Sequence, residues 1–491
     1  MRIVSYTNNS MKRLFQLRRL EAIAFISGFA LMAFELVAAR ILAPYIGSST
    51  YVWTSVIGVI IASLSIGYYV GGRIADTHQR LSDIAWLCLV AAIAVAMTAV
   101  FYHPVLSWAS TNIADSRLQG VVASLLLFAP ASFLIGIKAP YLAKLKVTSL
   151  DHTGRSVASL SALNSVGGIA GVFVAGFILF GYLGSKETLA VIVVLLIISS
   201  WLVASTHRTT IRIAVSLAVL AIVLLPAKTP GVIDIDTPTA HYQVREGYIE
   251  SGRAVRALTS GPRSAQSGVY VDGGKELAFW YTRELAALVD ATRARERILI
   301  LGGGTFTLPE YLAKRHPAST IDVVEIDPAL TNIAQTYFHY QPPANVNPIF
   351  NDARGYINAA KQAYDIILVD VYSDINVPFS LMTKEYGTSV AKLLKPQGVL
   401  AANVIAATTG PCRPLLDAID AAYRTALPYA AYATFQPATA KDRRANMIVA
   451  YSRHAATPQG YETLVSTDGT PYTDNFMPAE RLQHTCQEKS H

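Results

Sequence analysis

Charge and cysteine are both scarce in this chain. Only 15% of its residues are charged, against 52% hydrophobic, a balance too oily for a single soluble enzyme. Its 3 cysteines are Cys88, Cys412 and Cys486. None stands in a CxxC or Cys/His spacing, so no metal site is expected. Cys88 lies in an apolar run. Cys412 and Cys486 lie in the more polar part, and would pair only if that part faced an oxidising compartment. The expectation is two unrelated free thiols. No small-residue cleavage site follows the basic start of the chain (Lys12, Arg13, Arg18, Arg19), so the first apolar run reads as an anchor and not as a removed signal peptide. A concentrated basic face is also missing. The formal net charge of +8 is spread over loops between apolar runs, where positive charge sets membrane orientation, and no nucleic-acid partner is expected.

What is present is a chain of two halves. Up to about residue 226 long apolar runs dominate, and a bilayer core needs about 20 mainly apolar residues per helix. The candidate spans are 23–43, 52–74, 84–102, 120–137, 157–180 and 188–204. A seventh run, 213–226, is short enough to read as a span or as an interfacial helix. Lys and Arg gather at the N terminus, at Arg73 and Arg80, at Lys138, Lys144, Lys146 and Arg155, and at Arg208 and Arg212, leaving Arg117 and Lys186 for the opposite loops. This predicts a multi-pass protein of the cell inner membrane with a cytoplasmic N terminus. Six spans leave the polar half in the cytosol and seven place it outside; the sequence leaves both open. Glu35 and Arg40 sit in the first span, where a charge costs roughly 2.5–3.5 kcal/mol, so each needs a partner, a cavity or a route to the surface. Asn164, Gly167, Gly171 and Gly176 read as close helix packing.

The polar half is built around Ile298–Asp327. Four apolar residues, Ile298 to Leu301, suit a strand buried on both faces. Gly302, Gly303 and Gly304 then allow a tight turn and close approach of a ligand. A helix and a second apolar strand, Ile321 to Val324, lead to Glu325, placed to accept hydrogen bonds from two ribose hydroxyls. A third strand runs into Asp352, placed to accept the exocyclic amine of adenine, and a fourth, Tyr364 to Val369, runs into Asp370. Polar groups at one edge of successive strands predict a nucleoside crevice. The domain reading is 1–230 membrane, 231–292 a small β-rich subdomain, and 293–491 a Rossmann-like domain. The fold class is therefore an α-helical membrane bundle of six or seven spans followed by an α/β Rossmann-like domain with a small N-terminal β subdomain, S-adenosylmethionine-type by the resemblance that follows.

Over roughly residues 237–453 the chain resembles the spermidine synthases, the polyamine aminopropyltransferases. The resemblance rests on Gln266-Ser267, Asp272-Gly273, Tyr281, Gly302-Gly303-Gly304, Glu325-Ile326-Asp327, Asp352, Tyr364-Asp365 with Asp370, Pro378, Leu381 and Leu394-Lys395-Pro396-Gln397-Gly398. The apolar half with Glu35 and Arg40 resembles membrane-fused members of that superfamily. Gly71-Gly72-Arg73-Ile74-Ala75-Asp76 resembles the loop between helices two and three of major facilitator transporters, which makes six spans look like half a transporter; a homodimer is one way to supply the other half. The family moves the aminopropyl group of decarboxylated S-adenosylmethionine to putrescine. By resemblance, Gly302, Gly303, Gly304, Glu325 and Asp352 hold the nucleoside, and Gln266 is a nucleoside-side contact. Asp370 is the proton acceptor, and Tyr281 stands beside the attacking amine. No metal is implied, and the acceptor is a small polyamine.

Two positions depart from the family pattern. Thr305 stands where the family has the Asp that binds the donor's free amine. Ser373 stands where it has a second acid, with Asp374 one residue on; Pro378 is also one residue late, so an insertion would restore Asp374 to that role. Thr305 and Asp374 are thus the candidate substrate-binding positions. Intact S-adenosylmethionine and methyl transfer remain an open alternative, as does a non-catalytic polyamine- or nucleoside-binding domain on a transporter-like half.

Overall fold

A computed structural model describes the chain apart from residues 1, 48, 79, 114, 148–152, 204–207, 225–230, 250, 262–264, 373–376, 436–440, 456, 467–470 and 489–491, and the side chains of 2–16, 116, 484, 487 and 488. The chain divides into two compact units, Met1–Pro230 with Ile235–His241, and Gly231–Asp234 with Tyr242–His491.

The first unit is helical: α1 (Arg2–Ile46), α2 (Thr50–Thr77), α3 (Leu81–Asn112), α4 (Ser116–Leu127), α5 (Ala129–Lys146), α6 (Thr153–Val174), α7 (Phe180–Tyr182), α8 (Gly184–Leu202) and α9 (Thr209–Leu224). Among the described residues, five helices are long and apolar enough to cross a membrane: α1 from Leu17, α2, α3, α6 running on through a π-turn to Tyr182, and α8. α4 and α5 together are also long and apolar enough, but they meet at 55°. Pro130, at the start of α5, supplies the cause: it has no N–H to continue the preceding ladder. α5 then runs to Lys146 and carries Lys138 inside it, fully buried. Lys138 is therefore not a loop residue, as the charge count had it. α9 is shorter, at 16 residues.

Small residues set the helix spacing. A Cβ on Gly167 or Gly171 would strike the carbonyls of Phe25 and Phe29, and one on Gly28 that of Asn164, so α1 and α6 pack backbone to backbone. Gly176 has nothing within 4 Å of its would-be Cβ and plays no such part. Arg40 finds its partners within the same unit. Its guanidinium donates to the carbonyls of Thr237 (2.5 Å), Ala240 (3.1 Å) and Pro238 (3.3 Å), and pairs with Asp236 at 3.3 Å.

The second unit opens with a small sheet, in order β1 (Val232–Asp236), β2 (His241–Tyr248), β3 (Ala254–Thr259) and β4 (Ser267–Tyr270). The division between the units runs through β1. After α10 (Trp280–Ala291) come β5 (Arg297–Leu301), α11 (Thr307–Arg315), β6 (Thr320–Glu325), α12 (Ala329–Phe338), β7 (Val346–Phe350), α13 (Ala353–Ala359), β8 (Tyr364–Val369), α14 (Lys384–Lys392) and β9 (Leu394–Ala406). α15 (Arg413–Arg424), β10 (Tyr429–Thr434), β11 (Ala445–Ser452), β12 (Glu462–Thr463) and α16 (Ala479–Glu488) complete it. The large sheet runs β12-β10-β11-β9-β8-β5-β6-β7. β7, β6, β5, β8 and β9 are parallel, and β11 and β10 return antiparallel. β5 and β8 are buried along almost their whole length, as parallel strands covered on both faces must be.

One cysteine expectation is corrected. Cys412 and Cys486 form a disulfide and are not free thiols; it ties α16 to the turn before α15. Their sequence separation of 74 residues gave no local signal, and only the fold brings them together. Cys88 is free and buried.

Candidate active site

The chain order fixes where a ligand can bind. From β5 it steps outward to β6 and β7, then returns to lay β8 on the other side of β5. That reversal leaves a crevice outside the carboxyl ends of β5 and β8. Gly302 and Asp370, the residues that follow those two strands, lie against each other there. The Asp370 N–H donates to the Leu301 carbonyl at 2.9 Å. Gly302 has φ +95, and a Cβ on it would come within 2.1 Å of the Asp370 carbonyl oxygen. Only glycine fits that backbone and that gap.

Glu325 ends β6, the next strand over, and anchors the glycine turn. One carboxylate oxygen accepts from the N–H groups of Gly303 (2.8 Å) and Gly304 (3.3 Å), and the other from that of Asp327 (3.0 Å). Burial pushes its carboxyl above the usual range, and these N–H donors pull against that shift. Asp352 follows β7. It is exposed, and it caps α13 by accepting from the Gly355 N–H at 2.8 Å, so one of its oxygens serves the helix. Glu325, Gly302–Gly304, Asp370 and Asp352 thus stand at one edge of four neighbouring strands.

Asp370 is the group with acid–base character. Burial pushes its carboxyl up to about 6, while a hydrogen bond from Asn403 Nδ2 at 2.9 Å favours the charged form. Tyr281 on α10 is buried and close enough to feel the Asp370 charge. Burial first, and that charge second, hold its phenol well above the ordinary range. Its hydroxyl donates to the Gln266 carbonyl at 2.5 Å, and the Gln266 amide nitrogen donates to Ser260.

Asn403 was not singled out in the sequence. It is buried on β9, and its side-chain oxygen accepts from Asn446 at 3.1 Å while its carbonyl accepts the Tyr372 hydroxyl at 2.7 Å. The available signal was one amide inside the apolar run Ala401-Ala402-Asn403-Val404-Ile405, because a buried amide needs partners.

Thr305 is fully buried, and its hydroxyl shares a 2.5 Å hydrogen bond with Ser267, which also reaches Thr307 at 3.1 Å. The next residue, Phe306, takes the left-handed backbone (φ 57) and stacks on Tyr340 at 5.1 Å. The sequence put Thr305 at the substrate; in the structure its hydroxyl is taken by Ser267 of β4. Asp374 lies outside the described residues.

Comparison with known proteins places this geometry. Residues 278–449 match the spermine/spermidine synthase domain. A polyamine aminopropyltransferase of Vibrio vulnificus is 38% identical over 154 residues, covering 31% of this chain and 50% of that protein. Putrescine N-methyltransferase 2 of Nicotiana tabacum is 35% identical over 113 residues, covering 21% of this chain and 31% of that protein. The chain thus spans half or less of the length of these relatives. A probable spermidine synthase from Corynebacterium glutamicum superposes with a TM-score of 0.42 at 20% identity, over 51% of this chain and 99% of that one. Residues 278–449, with β5, β6 and β8 at their centre, are thus the part of the chain that is similar to the spermine/spermidine synthase domain.

Proposed function

We propose that the chain is a membrane-anchored polyamine aminopropyltransferase that moves the aminopropyl group of decarboxylated S-adenosylmethionine to a diamine such as putrescine. The observation that carries this is Asp370: a carboxylate beside the glycine turn, held by Asn403, with its carboxyl pushed up to about 6. The sulfonium carbon is already activated, so the site has mainly to align a neutral amine with it. The amine nitrogen attacks that carbon, the C–S bonding pair returns to sulfur as a neutral thioether, and the proton shed by nitrogen passes to Asp370. Glu325 and Asp352 would hold ribose and adenine. The five long apolar helices and the bent pair support the membrane anchor.

One observation favours a second reading. With Thr305 buried on Ser267, no acid follows the glycines to bind the donor's free amine, which suits intact S-adenosylmethionine and methyl transfer to an amine. The products separate the two. Detergent-purified protein given each donor with putrescine is expected to release methylthioadenosine from the decarboxylated donor, and calorimetry is expected to show that donor binding the tighter. S-adenosylhomocysteine as the sole nucleoside product would replace the first reading by the second.

The proton acceptor also sets a pH profile. A base must be deprotonated to work, so kcat at saturating amine should rise about tenfold per pH unit below about 6. Asn403→Ala removes the hydrogen bond that favours the carboxylate, so its limb should move to higher pH. A limb that stays in place would mean that Asn403 serves only to pack β9.

A further inference from the structure

We infer that α9 is a seventh crossing of the bilayer, so that the chain passes into its spermine/spermidine synthase unit on the face opposite its N terminus, the face on which the Cys412–Cys486 bridge forms. The inference rests on the membrane reading above and adds the side.

The helical unit has two recognisable ends. At one, the Lys146 ammonium pairs at 2.6 Å with Glu21, near the start of the apolar stretch of α1 that begins at Leu17, and the Tyr141 hydroxyl donates to Asp83 near the start of α3 at 2.8 Å. Val203, just past α8, packs there with Leu20, Ile84 and Tyr141. The chain enters α9 at this end: Arg212 is buried, and its guanidinium donates to the Ser200 carbonyl at 2.6 Å and hydroxyl at 3.0 Å. The other end holds the last turns of α1 and the first turn of α8. There Asp236 accepts from the Ser185 N–H (3.0 Å) and hydroxyl (2.8 Å) and pairs with Arg40.

Ser200 and Ser185 are fifteen residues apart on one helix, about 22 Å at 1.5 Å per residue. Arg212 is fixed beside one of them and Asp236 beside the other, so the chain between them travels the length of α8. α9, with its 16 residues, is about 24 Å long, and Val219 and Val223 are buried in the same core as α1, α3 and α8 residues. A helix lying flat on the membrane surface would leave both of its ends at one level. This one carries the chain from the Leu20 end to the Arg40 end.

Parity then decides the side. The crossings are α1, α2, α3, the bent α4–α5 pair, α6 and α8, and α9 makes an odd number. The N-terminal end has Arg18, Arg19, Arg73, Arg80, Lys144, Lys146, Arg155 and Arg208, against Arg40, Arg117 and Lys186 at the other, which makes it cytoplasmic. The disulfide is an independent observation from the other unit. A bridge between two fully buried cysteines belongs to an oxidising compartment and not to the cytosol. On this sidedness the acceptor amine comes from the non-cytoplasmic pool. A nucleoside sulfonium, assembled from ATP in the cytoplasm, has to be translocated before the transfer.

The test fuses alkaline phosphatase, active only outside the cytoplasm, or green fluorescent protein, fluorescent only inside, after His491 of the full chain in a bacterial host. The expected result is an active phosphatase and a dark fluorescent fusion, both retained in carbonate-washed membranes. The reverse pattern with membrane retention overturns the seventh crossing and leaves the membrane reading standing. Release by carbonate overturns the membrane reading and the crossing with it. In the same membranes, a thiol-reactive polymer added after denaturation should modify one cysteine, Cys88, before reduction and three after it. Three before reduction would remove the support drawn from the bridge.

Discussion

Asp370→Asn is expected to lower turnover by about 10²–10⁴-fold, the range that a positioned general base contributes, while leaving nucleoside binding nearly intact. The amide keeps the shape of the carboxylate and can still accept from Asn403 (2.9 Å in the parent), so the crevice should survive. What it cannot do is take a proton from the attacking amine. The same change should make the protein more stable. Burial raises the folded carboxyl from 3.8 to about 6, so the folded state binds the proton more tightly than the unfolded chain does. Stability from this group is therefore fully present below pH 4 and is lost as pH rises to about 6. Holding the carboxylate charged at neutral pH costs up to about 3 kcal/mol, and asparagine removes that cost. The measurements are kcat, calorimetry with methylthioadenosine, and the melting midpoint at pH 7. If turnover and nucleoside binding fall together with the midpoint, Asp370 is a structural residue and the proposed mechanism fails.

This pairing of effects follows from how the sheet is built. β8 is apolar from Ile366 to Val369 and ends in an acid. The apolar run commits the strand to the middle of a parallel sheet, so the residue after it emerges at the carboxyl edge, still close to the core. A carboxylate there is poorly hydrated and correspondingly basic. The position that makes Asp370 a good proton acceptor also makes it an unfavourable one for folding.

Much of this edge was legible in the sequence. Short, mainly apolar runs bounded by glycine or acid (Ile298–Leu301, Ile321–Val324, Ile366–Val369) suit buried parallel strands, whose following residues share one rim. The helical half was legible for a similar reason: length and apolarity suffice to place each run on a helix. Pairings set by tertiary contact were not legible. Asn403 reads as one amide in a strand until β8 brings Asp370 beside it. Thr305 reads as a ligand contact by its place after the glycines, and only β4 shows that its hydroxyl is already taken by Ser267. Arg40 read as a charge in need of a partner, a cavity or a route to the surface. Its acceptors lie nearly 200 residues along the chain, beyond the reach of any periodicity.

The bridge between Cys412 and Cys486 belongs to the same class of long-range pairing, and it carries the second large effect. It closes a loop of 74 residues in sequence, and a cross-link of that span restricts the unfolded chain by about 4 kcal/mol on the chain-entropy account. The double variant Cys412→Ser, Cys486→Ser should therefore lower the melting midpoint of the second unit by on the order of 10 °C. The loss should fall on one region. Both sulfurs lie in a small buried cluster with Ala407, next to the end of β9, so loosening them frees α16 before it reaches the parallel strands. Gln483 of that helix donates to the Val377 carbonyl at 2.9 Å, which makes the segment after Asp370 the first part of the crevice to feel the change. Scanning calorimetry of the full chain in detergent, with and without reductant, gives the magnitude. Amide exchange should show lost protection concentrated in α16 and in 377–382, with β5 and β6 unchanged. An unaltered midpoint would mean that the helix is held by its packing alone and that the bridge follows from the compartment without contributing to the fold.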